Sequence, residues 1–152
     1  VLQAREEQGV EVIYEFTYEH GFLSNFHPVT VEMGGLPYPS VEHAYQAAKT
    51  LDEADRDMIR LARTPGIAKS RGRLVRLRPG WDQLKDGIMR DLLEQKFSRE
   101  PLTGLLLATG DAVIIEGNAW GDRYWGVSGG SGLNKLGLAL MAIRQGLADA
   151  AA

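Results

Sequence analysis

The segment that most restricts how this chain can fold is residues 38–50, YPSVEHAYQAAKT. Ser40 follows Pro39 and precedes an apolar pattern of helical period, which makes it the expected N-cap of a helix. Ala44, Ala47 and Ala48 give that helix a face of small side chains, so a neighbouring element can approach its backbone closely and bury it deeply. The opposite stripe is not apolar. At about 100° per residue Glu42 and Lys49 stand only about 20° apart around the axis, with Gln46 beside them, and His43 and Tyr45 lie in the same turns. A buried stripe that carries a carboxylate, an amide and an amine is costly unless its groups are paired or used.

The rest of the chain supports a domain around this helix. At 152 residues with no Ser/Pro/Gly-rich linker, the expectation is one domain over residues 1–152, with its core at about 10–147. The fold class is α+β, mostly helical with a small sheet. VEVIYEF reads as an opening strand, and GFLSNFHP as a loop anchored by its aromatic residues. VTVEMGGLPYP reads as a hairpin closing at Gly34 and Gly35. A second helix is expected from Glu53 to about Ala62, ending before Thr64, Pro65 and Gly66. WDQLKDGIMRDLLEQKF spaces Leu84, Ile88, Leu92 and Leu93 as a helix face, and REPLTGLLLAT is a shorter helix from near Pro101. DAVIIEGN is a buried strand and AWGDRYWGVSGGSG a loop. LNKLGLALMAIRQGLADA is an amphipathic helix whose Ala-rich end is expected to fray.

Cysteine is absent, which removes disulfides, thiolate metal sites and thiol nucleophiles. His20, His27 and His43 show no metal-ligand spacing, so neither a metal nor another cofactor is expected. No leader or membrane-spanning pattern is read in the sequence, and the expected location is the cytoplasm, away from membranes. A net charge of −3 argues against charge-driven binding to long DNA as the main function. Yet between Arg56 and Arg78 the single Asp57 stands among a run of arginines, densest in AKSRGRLVRLR. This stretch is either a solvated basic surface or a seat for phosphate, in which Lys69, Arg71 and Arg73 are the candidates and Gly72 lets the chain approach the anion.

A second group comes from the glycine-rich loop. Asp122, Arg123 and Trp125, with Trp120 nearby, combine aromatic faces with a carboxylate, as suits a site that stacks a flat ring beside a reacting sugar. Asn25, flanked by Phe22 and Phe26, is a third contributor.

In order, FLSNF, YPSVEHAYQAAK, AKSRGR, WDQLKDGIMRDLLEQKF, LLLATGD, IIEGN with DRYWG, and GLNKLGLALMAIR resemble the motifs of the NADAR family, over residues 21–144. The resemblance implies cleavage of an N-glycosidic bond between a ribose and an amino group on a heterocycle. Its substrate classes are phosphoribosylamino-pyrimidine intermediates of riboflavin synthesis and ADP-ribose on the guanine amino group, as a small molecule or in nucleic acid. The family's glutamate falls on Glu42, its lysine on Lys49, its asparagine on Asn25, and its aspartate-tryptophan-glycine loop on Asp122, Trp125 and Gly126. His27 departs from the aromatic residue expected there.

Two routes are open. Glu42 or Asp122 activates water and stabilises an oxocarbenium-like state, or Lys49, neutral through burial, attacks the sugar carbon and forms a Schiff base. Phe26, Tyr45, Gln46, Lys69, Arg73, Trp120, Arg123, Trp125 and Gly126 complete the expected substrate contacts. The competing reading is a module that binds ADP-ribose or a related nucleotide without cleaving it, which has no need of Glu42 and Lys49.

Overall fold

The computed structural model describes residues 9–152. It divides into two compact units: Asn25–Ser98, and the described residues up to Ser24 together with Arg99–Ala152. The expected domain includes residues 1–8, which lie outside the described residues.

In Asn25–Ser98 a hairpin leads into four helices. Strands β2 (Val31–Met33) and β3 (Leu36–Tyr38) pair antiparallel, with Val31 opposite Tyr38 and Met33 opposite Leu36. Gly34 and Gly35 take φ of 59° and 79°, the two positive values that a tight two-residue hairpin turn requires. The β2 edge is covered from the side. Gln95 donates from Nε2 to the Glu32 carbonyl and accepts from the Glu32 N–H at Oε1, each at 2.8 Å.

Helix α1 (Val41–Ala48) starts at Ser40, whose hydroxyl oxygen accepts from the His43 N–H at 3.1 Å. The same hydroxyl lies 2.7 Å from His43 Nδ1, and Nε2 of that ring donates to the Ala62 carbonyl at 3.0 Å. The expected cap therefore also ties α1 to the end of α2 (Glu53–Arg60). Every residue of α1 is buried, because the helix packs against α2, α3 (Pro65–Gly72) and α4 (Trp81–Lys96). The alanine face is fully buried, as close packing on small side chains demands.

Helix α3 was not expected: Thr64 and Pro65, read as the stop of α2, begin it. The Thr64 hydroxyl oxygen accepts from the Ile67 N–H, and Pro65 occupies the first turn where no N–H partner is needed. On α4 the buried face is Trp81, Met89, Leu92, Leu93 and Lys96, whereas Leu84 is exposed.

In the other unit, β1 (Val12–Ile13) and β4 (Val113–Ile114) pair in parallel, so the strand expected over residues 10–16 is shorter than its pattern. A 3-10 helix (Tyr18–Leu23) occupies part of the expected loop and buries Phe22 and Leu23. Helix α5 (Leu102–Ala108) touches it. Helix α6 (Lys135–Ala151) lies directly on β4: a Cβ on Gly137 would stand 2.1 Å from the Ile114 carbonyl oxygen. Asn134 joins the two elements, donating to Ile114 O at 2.9 Å and accepting from Glu116 N at 3.0 Å. The Ala-rich end expected to fray is helical through Ala151. Helices outnumber strands and the sheets are small, so the fold is α+β. Among the described residues no helix is long and apolar enough to cross a membrane.

Candidate functional site

Burial turns the polar stripe of α1 into a connected group. Gln46 Nε2 donates to Glu42 Oε1 at 2.7 Å, and both residues are more than nine-tenths buried. One turn further, Lys49 caps the helix and is partly exposed. Its Nζ stands 5.7 Å from the centroid of the Tyr45 ring, which in turn meets Trp81 of α4 at 5.3 Å and a tilt of 49°. The backbone at Lys49 is fixed from outside the helix. The Arg78 N–H donates to the Lys49 carbonyl at 2.7 Å, and Arg78 Nη1 donates to Ala48 O at 3.4 Å.

The amine of Lys49 is held below the usual lysine pKa. Burial is the main cause; Glu42 opposes it, while Arg73, Lys69 and Lys85 add repulsion. A larger share of this amine is neutral at a given pH than of a free lysine, and a neutral amine is a nucleophile.

Asn25 supports the other end of the stripe. Its carbonyl accepts from the Glu42 N–H at 3.1 Å, so it satisfies a donor that the first turn of α1 leaves open. Its side chain donates to Met89 Sδ at 3.5 Å, and Oδ1 is buried with no hydrogen-bond partner. Phe26, next in the chain, is exposed.

The basic stretch divides by task. Arg71 donates to the Met58 carbonyl, and the room left by Gly72 is filled by Gln46, whose Oε1 would lie 2.0 Å from a Cβ there. Arg78 is bound to the end of α1 as described above. Lys69 and Arg73 remain as the members whose charge acts on Lys49, and Lys85 of α4 joins them.

The loop with Asp122, Arg123, Trp125 and Gly126 belongs to the other unit. Asp122 Oδ1 accepts from the N–H groups of Tyr124 and Trp125 at 3.1 and 3.0 Å. Asn118 clamps Asp122 by accepting from its N–H at 3.0 Å and donating to its carbonyl at 2.8 Å. Arg123 Nε donates to Ser128 O at 3.0 Å, and Trp125 packs edge-on to Tyr124 at 5.0 Å. Gly126 is buried where a Cβ would stand 2.0 Å from Glu116 Oε2. Trp120 is largely exposed. One carboxylate oxygen of Asp122 is thus committed to shaping its own loop.

Trp81 and Lys85, which reach the Lys49 group, were missed in the sequence, as were Asn118 and Glu116 in the loop. The signal for the first pair was present: Trp81, Lys85, Met89, Leu92 and Lys96 follow one face at helical spacing. Among the described residues no group of three or more His, Asp or Glu side chains could hold a metal ion.

Comparison with known proteins places this chain in a family. A family model described as the NADAR domain matches residues 13–148. The N-glycosidase YbiA of Escherichia coli (strain K12) is 39% identical over 139 residues, which cover 89% of this chain and 86% of that protein. The riboflavin biosynthesis protein VVA0006 of Vibrio vulnificus (strain YJ016) is 36% identical over 146 residues, covering 90% of this chain and 38% of that protein. The NMR structure of the E. coli protein YbiA matches with a TM-score of 0.79 at 37% identity, over 93% of this chain and 88% of that one. With a family model spanning nearly its whole length and a relative of similar length at 39% identity, this chain belongs to the NADAR family.

Proposed function

We propose that the protein is an N-glycosidase that hydrolyses the bond between ribose C1′ and an amino nitrogen of a pyrimidine or guanine base, with Lys49 as nucleophile. The observation that carries this reading is the Lys49 amine, pushed toward its neutral form by burial on the same helical stripe as the Glu42 carboxylate. Relatives named N-glycosidase and riboflavin biosynthesis protein support the reaction class.

In the proposed sequence the Lys49 Nζ lone pair forms a bond to C1′ as the bond from C1′ to the base nitrogen breaks. Glu42 takes the proton released by the new ammonium and returns one to the departing nitrogen, which leaves as a neutral amine. The ribosyl ring then opens, O4′ takes a proton, and a C1′=Nζ iminium remains. Water adds to C1′, Nζ leaves protonated and returns to solvent the equivalent of the proton that O4′ took from it, and the sugar is released with its phosphate groups still attached, so one water is consumed per bond cleaved. Lys69, Arg73 and Lys85 suit a substrate that carries phosphate near the sugar, as both phosphoribosyl and ADP-ribosyl compounds do. The loop with Asp122, Trp120, Arg123, Trp125 and Gly126 is proposed as a substrate contact on its residue types and on the motif that Asp122, Trp125 and Gly126 match. The reaction needs no cofactor.

A module that only binds such a nucleotide would gain nothing from a carboxylate and an amine shifted toward its neutral form on one stripe. The deciding experiment incubates the protein with a phosphoribosylamino-pyrimidine and, separately, with ADP-ribosylated guanine in DNA, and follows release of the free base amine. Release from either supports the N-glycosidase and identifies the base it prefers. Binding without release from both would leave the non-catalytic reading in its place.

A further inference from the structure

The carboxamide of Gln46 is enclosed in a way that substrate contact does not explain. The residue is 4% exposed, Nε2 donates to Glu42 Oε1 at 2.7 Å, and Oε1 is buried without a hydrogen-bond partner. That oxygen faces Gly72, the last residue of α3. A Cβ at Gly72 would stand 2.0 Å from Gln46 Oε1, 2.8 Å from its Cδ and 3.0 Å from its Cβ. Gly72 is not among the glycines with positive φ, so space rather than backbone freedom is what glycine provides at this position.

A buried acceptor without a partner is a standing cost, and a methionine of similar shape would avoid it. What a carboxamide has and methionine lacks is a donor end and an acceptor end that exchange by rotation about the terminal bond. While Glu42 is ionised, the amide N–H donates to it. When Glu42 holds a proton, half a turn of the amide presents Oε1 to the Glu42 O–H. In either orientation one end meets the carboxyl group and the other faces the bare Cα of Gly72, so the amide can bond Glu42 in both protonation states.

We propose that Gln46 is a positioning residue that follows the proton on Glu42 through turnover, and that Gly72 supplies the clearance in which its amide turns. This rests on the N-glycosidase reading, since it assigns Glu42 a proton that comes and goes.

The test compares kcat, KM and thermal unfolding for Gly72→Ala, Gln46→Ala, Gln46→Met and the Gly72→Ala/Gln46→Ala double variant, on whichever ribosylated base the unaltered protein cleaves. Gly72→Ala and Gln46→Met are each expected to lower kcat by about tenfold or more with KM little changed. Gly72→Ala should also lower the unfolding temperature. In the Gln46→Ala background the same substitution should leave kcat where it is and lower the unfolding temperature by clearly less, because the contacts with Oε1 and Cδ are gone and only the one with the residue 46 Cβ at 3.0 Å remains. Normal kcat in Gln46→Met, or an equal effect of Gly72→Ala in both backgrounds, would overturn the proposal. If the unaltered protein cleaves neither substrate, the N-glycosidase reading fails and this one falls with it. The smaller loss of unfolding temperature in the Gln46→Ala background would then still report the contact between the Gln46 amide and residue 72.

Discussion

Lys96 closes α4 with its side chain fully buried, and Nζ lies 5.1 Å from the Phe97 ring centroid. Burial lowers the pKa of its amine from 10.5 to about 7. At about 1.4 kcal/mol per pH unit, holding the charged form in the fold costs about 5 kcal/mol relative to the unfolded chain. The sign follows from proton counts. Between pH 7 and 10.5 the unfolded lysine is protonated and the folded one neutral, so the unfolded state binds more protons and stability rises with pH across that window. Below pH 7 both are protonated and the full cost is present. Lys96→Met keeps most of the stem's volume and removes the amine. It is expected to stabilise the fold by roughly 3–5 kcal/mol at pH 6.5, with the gain shrinking toward zero near pH 10.5. Denaturant unfolding of both proteins at several pH values between 6.5 and 10.5 measures the difference, in which other titrating groups cancel. A difference that does not change with pH, or a variant less stable at pH 6.5, would show that the buried Lys96 charge does not cost the fold stability.

Other substitutions probe the remaining parts. Arg73→Gln should raise KM more than it lowers kcat on a phosphorylated substrate, by about 10- to 100-fold for a good contact; steady-state kinetics showing an equal effect on the dephosphorylated substrate would remove the phosphate role. Gly126→Ala drives a Cβ into Glu116 and Asn118 and should destabilise the Asp122 loop, seen as faster amide hydrogen exchange at Tyr124 and Trp125, whose N–H groups bond Asp122. Ser40→Ala removes the cap of α1 and the hydroxyl beside His43 Nδ1, and should cost about 2–4 kcal/mol in denaturant unfolding.

What could be read in the sequence follows the range of the interactions involved. The start of α1, the Gly34-Gly35 turn and the Glu42, Gln46 and Lys49 stripe depend on neighbours within a few residues, and each was legible. Helix α3 was not, because it buries only Ala68 and Gly72 and shows no apolar periodicity, so its Thr64-Pro65 start read as a stop for α2. The basic stretch misled in the same way. Composition marks Arg71 and Arg78 as charges, but only tertiary placement shows them serving the carbonyls of Met58 and Ala48. Leu84 fits a helical face as well as Met89 does, and what separates them is where β2 and α1 pack on α4. In the glycine-rich loop the residue types pointed to Asp122 and Trp125. The clamp by Asn118, four residues upstream, follows from a backbone path that composition does not specify.

The central claim is that Lys49 bonds to the sugar during turnover. The direct measurement is to quench the reacting protein with borohydride, which reduces an imine to a stable amine, and to locate the added ribosyl mass by peptide mass spectrometry. An adduct is expected on Lys49, appearing only with a cleavable substrate. No adduct is expected in a folded Lys49→Met variant, whose turnover should fall by at least about 100-fold. Normal turnover in Lys49→Met, or an actively cleaving protein that yields no adduct at Lys49, would contradict it and move the chemistry to water activated by a carboxylate.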